Sequence, residues 1–113
     1  MTEADGFEMI AEVITKGFET SILNENIVNN LGYAALAEKD MNQAEALMRA
    51  NVKAHPDSAN VYDSLGEVLE NRKNLKEALK NYQRAVELGK DSSNLNFFQR
   101  NLERVQKALA EET

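Results

Sequence analysis

ENIVNNLGYAALAEKDMNQAEALMRANVKAHPDS (25–58) runs directly into ANVYDSLGEVLENRKNLKEALKNYQRAVELGKDS (59–92). Aligned at a shift of 34 residues, the two stretches share eight identities: Asn26/Asn60, Leu31/Leu65, Gly32/Gly66, Lys39/Lys73, Ala44/Ala78, Val52/Val86, Asp57/Asp91 and Ser58/Ser92. Ile27/Val61 and Met41/Leu75 are conservative apolar pairs. A period of this length marks a supersecondary unit that stacks on copies of itself. In the first half of each copy, Val28, Leu31, Ala35 and Tyr62, Leu65, Leu69 recur at helical spacing. In the second half, Met41, Ala44, Met48, Val52 and Leu75, Ala78, Tyr82, Val86 do the same. The unit is therefore a helical hairpin. Gly32 and Gly66 fall inside helices, where glycine costs about 1 kcal/mol against alanine. Glycine there lets a neighbouring backbone approach, and Ala44 and Ala78 are small for the same reason.

Between the copies, His55-Pro56-Asp57-Ser58 stops one hairpin and starts the next. Proline ends the helix, and aspartate or serine caps the free amides of the following one. Leu-Gly, then a large residue three further on, then Ala-x3-large or aromatic, then proline: over 25–92 this resembles the tetratricopeptide repeat (TPR) family. The second copy is the better match, with Tyr62, Leu65, Gly66, Ala78, Tyr82 and Ala85 in place. The first departs at Asn51, where a small apolar residue is usual, and the second ends in Lys90 instead of proline. NVKAHPDSANVYDSLGEVL, with LGYAAL upstream, also looks like the repeat pair appended to the C-terminus of some bacterial serine hydrolases.

The flanks read as closing helices. Phe7, Ile10, Ala11, Ile14 and Phe18 form one stripe over 3–18, with Gly17 as its expected end. Leu95, Phe98, Leu102, Val105 and Leu109 form another over 93–110, with Ser92 or Ser93 as its cap. A polar-backed terminal helix is what a repeat array needs at its open end. The expectation is one all-α domain over 1–113, a TPR-like superhelix of two hairpins between an N-terminal helix and a C-terminal capping helix.

Composition narrows the function classes. A net charge of -6 opposes nucleic-acid binding and adhesion to anionic membranes. With no cysteine there is no disulfide, thiolate metal site or cysteine nucleophile. MTEADGFEMI is not a signal peptide and no apolar run is long enough to span a bilayer, so a soluble cytoplasmic protein is expected. Processing, or a larger parent chain, would allow the periplasm instead. His55, the only histidine, has no triad partner or second metal ligand nearby and reads as a solvated turn residue. Ser-x-x-Lys, Gly-x-Ser-x-Gly, a phosphate-binding glycine loop and a calcium loop are all missing. Asp63, Glu67 and Glu70 read as a solvated acidic face rather than a glycosidase pair. No catalytic residue, metal site or cofactor is assigned, and the chain is not expected to be an enzyme.

The resemblance implies a binding role. In TPR proteins the first helix of each hairpin lines a concave wall, which here implies Asn26, Asn29, Tyr33, Leu36 and Ala37, then Asn60, Asp63, Glu67, Glu70 and Asn71. Peptide binding would fall to Asn26, Asn29, Tyr33, Asn60, Asp63, Glu67 and Glu70. Asparagine both donates and accepts, Tyr33 adds apolar area, and the acids favour a basic or N-terminal segment. The clamp for C-terminal carboxylates that one TPR subtype carries is not expected, because its lysine is replaced by acids. The expected function is a protein-interaction adaptor. The alternative is a structural or dimerisation domain of a larger protein, in which Phe97, Phe98, Phe7 and Phe18 would mediate a homodimer if exposed.

Overall fold

The computed structural model describes residues 3–19 and 23–112, with side chains over 9–17 and 23–112. Among the described residues there are six α-helices and no strand: α1 (Glu3–Glu19), α2 (Glu25–Ala37), α3 (Met41–Ala54), α4 (Ala59–Asn71), α5 (Leu75–Leu88) and α6 (Leu95–Glu112). None of them is long and apolar enough to cross a membrane. The chain divides into two compact units, Met1–Pro56 and Asp57–Thr113. In the first, α2 and α3 pair and α1 packs on α3; in the second, α4 and α5 pair and α6 packs chiefly on α5.

Both hairpins turn by the same chemistry. Lys39 and Lys73, one repeat apart, take positive φ of 63° and 66°. That left-handed residue lets Lys39 N–H donate to Leu36 O and Asp40 N–H donate to Ala35 O; Lys73 N–H and Asn74 N–H donate equivalently to Glu70 O and Leu69 O. These paired bonds satisfy the last carbonyls of α2 and α4 as a Schellman motif. The next residue starts the following helix. Asp40 Oδ1 accepts from Gln43 N–H at 3.2 Å, and Asn74 Oδ1 accepts from Glu77 N–H at 3.5 Å. Asn24 caps α2 in the same way through Ile27 N–H, at 2.9 Å. Ser58 stands at the N-cap position of α4, but its side chain makes no capping bond there, so of the aspartate-or-serine expectation the serine alternative is not met.

The helical glycines admit side chains rather than backbone. A methyl on Gly66 would lie 2.7 Å from the Tyr82 ring, and one on Gly32 2.5 Å from the Met48 terminal methyl. Tyr82 and Met48 are fully buried, as are Ala44 and Ala78. Gly89, at the C-cap of α5, leaves room for the Phe98 ring of α6 in the same way. Asn51 is also fully buried, and its Nδ2 donates to Glu25 O at 3.0 Å, tying α3 to the start of α2. Gly17 does not end α1, which continues to Glu19. Phe98 is buried and Phe97 is half exposed, while the side chains of Phe7 and Phe18 lie outside the described residues.

Candidate functional site

The acids of α4 are engaged by α6. Asp63 is only 4% exposed, and its Oδ1 accepts from Asn101 Nδ2 at 2.9 Å. Burial pushes its carboxyl up to about 6; the Asn101 bond opposes that, and Glu67 and Glu70 reinforce it by repulsion. Seven residues along α4, Glu70 forms a bidentate pair with Arg104, whose Nε donates to Oε2 and Nη2 to Oε1, both at 2.8 Å. Glu70 Oε1 also accepts from the Tyr82 hydroxyl at 2.8 Å. The Arg104 bond holds the Glu70 carboxyl below its ordinary value, and burial with the adjacent Glu70 pushes the Tyr82 phenol up. The seam joins α4, α5 and α6 through charge-assisted hydrogen bonds.

This arrangement redistributes the residues that the sequence singled out. In the second unit Asp63 is buried, Glu70 is bound by Arg104 and Tyr82, Glu67 is half-buried and Asn60 is exposed. The acidic face read as solvated is thus partly a helix-to-helix seam. It closes because a half-buried carboxylate is satisfied by a planar guanidinium at the right register. In the first unit Asn26 is exposed, and Asn29 and Tyr33 are half-buried. His55 is the C-cap residue of α3 and is half-buried, where the sequence reading expects a solvated turn residue.

The first unit carries a feature that sequence reasoning missed. Met9, Val13 and Ile14 of α1, with Leu31 and Ala34 of α2 and Glu38 at its C-cap, enclose a groove of about 460 Å³ over Leu47 of α3. Ile14 and Leu47 are buried in its base, whereas Met9 and Val13 are 53% and 67% exposed. Leu31 is 46% exposed, yet its counterpart one repeat later, Leu65, is 3% exposed. Ile27 and Val61 differ in the same direction, at 40% and 1%. The helical spacing gives Leu31 and Leu65 the same register and does not tell them apart. Burial at one copy of the position and exposure at the other would have been visible only once the neighbours of each copy were known. A volume of this size falls in the range of ligand-holding clefts, and its walls are apolar with one carboxylate, Glu38, among them.

Neither a protein-family model nor a curated protein matches the chain significantly. The repeat pattern and this geometry therefore carry the functional reading.

Proposed function

We propose that the chain is a TPR-type protein-interaction module without a catalytic step of its own, and that the groove of the first unit is its ligand surface. The observation that carries this reading is the contrast between half-exposed Leu31 and buried Leu65 at equivalent repeat positions. An apolar face of this kind facing water is typical of a protein-binding surface. The polar wall implied by the TPR resemblance is the weaker site in the second unit, because Asp63 and Glu70 already have partners on α6. Asn26, Asn29 and Tyr33 lie on the opposite face of α2 from Leu31 and do not line the groove, so they fall outside this ligand surface.

An affinity capture comparing wild type with Leu31→Ser and Glu67→Lys tests the reading. Both positions are at least partly exposed, so the helices should persist, which circular dichroism checks. A protein retained by wild type and Glu67→Lys but lost by Leu31→Ser supports the groove. Loss with Glu67→Lys alone moves the ligand to α4. Capture of nothing but the chain itself favours the alternative, a structural or dimerisation domain of a larger protein such as a bacterial hydrolase.

A further inference from the structure

The occupant of the groove can be specified further, on the reading that the groove docks a protein. We infer that it takes a basic amphipathic helix from a partner protein. Charge is the first argument. Residues 1–56 contain nine Asp and Glu against four Lys and Arg, whereas residues 57–113 contain ten against nine. Almost all of the chain's net charge of -6 thus belongs to the unit that holds the groove. Glu38 lies in the groove wall, and Glu12 is exposed beside Val13 on α1. Lys16 and Lys39 are the nearest opposing cations in sequence, and they do not reverse the balance of the unit.

The same charge disfavours a second copy as occupant. Two copies meeting groove to groove would bring two acidic units together, and like charges facing across an interface are unfavourable.

Shape selects a helix. At the equivalent positions of the second repeat, Leu65, Val68 and Leu69 are all buried, so this helix face is built to be covered within a helical array. Leu31, Ala34 and Ala35 present the same pattern at i, i+3 and i+4 on α2. A helix laid into such a groove anchors through apolar residues at i, i+3 or i+4, and i+7. Its opposite face, rich in Lys and Arg, would meet Glu38 and the net negative charge of the unit.

The test uses the full chain, labelled with nitrogen-15, and three synthetic peptides of about 14 residues, roughly four helical turns. All carry Leu at i, i+3 and i+7; their polar positions are Lys and Arg, Gln, or Glu. The basic peptide should bind best, shifting the amides of Val13, Leu31, Ala34 and Leu47. Leu31→Ser should weaken it roughly tenfold. The pair Glu12→Lys and Glu38→Lys should move the preference toward the acidic peptide. Equal affinity for the basic and acidic peptides at these residues would overturn the charge assignment while leaving the groove as a docking surface. Shifts at Val13 and Leu31 that grow with protein concentration and need no peptide would make a second copy the occupant. If no peptide moves these residues, the groove reading itself fails.

Discussion

Replacing Asp63 by Asn should stabilise the protein at neutral pH, although it removes one member of the α4–α6 seam. Burial raises the folded-state carboxyl from 3.8 to about 6, the causes that lower it being the Asn101 bond and Arg104. Between about pH 4 and 6 the folded form therefore binds a proton that the unfolded chain does not. Stability from this group is greatest below that window and falls as pH rises through it. Holding the buried carboxylate ionised at pH 7.5 costs about 3 kcal/mol, from a displacement of about two pH units at ~1.4 kcal/mol each. In Asp63→Asn the side-chain oxygen still accepts from Asn101 Nδ2, so the bond survives without the charge. The expected gain is about 2–3 kcal/mol at pH 7.5, shrinking to near zero at pH 4. Urea unfolding of both proteins at half-unit steps from pH 4 to 8 measures it. The difference between the two curves isolates Asp63, because every other group titrates in both. Parallel curves, or a variant less stable than wild type at pH 7.5, would refute the argument.

Three further outcomes follow from the same contacts. Glu70→Gln keeps an acceptor for Tyr82 but loses the charge that binds Arg104; since Arg104 is half exposed, the loss at pH 7 should be only about 1 kcal/mol. Because the Glu70 carboxyl is held below its ordinary value, its stabilisation is present above about pH 4.5 and is lost on acidification, so acid unfolding should be shallower in the variant. Gly66→Ala should cost about 1–3 kcal/mol, as its methyl meets the rigid, buried Tyr82 ring, whereas Gly32→Ala meets the flexible end of Met48 and should cost clearly less; thermal denaturation compares them. Lys73→Gly should raise stability by about 0.5 kcal/mol, because glycine takes the left-handed conformation at 66° without strain; a fall in midpoint would show that the lysine's attraction to Glu70 outweighs it.

The helix layout was readable because its determinants are local. Eight identities recur at a shift of 34 residues, His55-Pro56 interrupts the pattern between the copies, and apolar residues recur at 3.6-residue spacing. The Lys39/Lys73 identity was visible too, but lysine gives no hint of a left-handed turn. Gly17 misled because a helix can absorb about 1 kcal/mol of glycine penalty when its neighbours hold it. The site was far less legible. Asp63 meets Asn101 across 38 residues, and no pattern along α4 announces that partner. Leu31 and Leu65 are identical in type and register, and only tertiary surroundings make one exposed and the other buried.

The twin Schellman turns also bear on how quickly the chain finds its structure. Each reversal is closed by bonds that reach back only three or five residues, so little loop entropy is lost before the first contacts form. Topologies dominated by such short-range contacts fold on a scale of about microseconds to milliseconds. The two turns are equivalent in geometry, so their separate strengths rather than their order along the chain would decide which hairpin nucleates first. Strengthening one of them, as at residue 73, becomes a means of choosing the starting point.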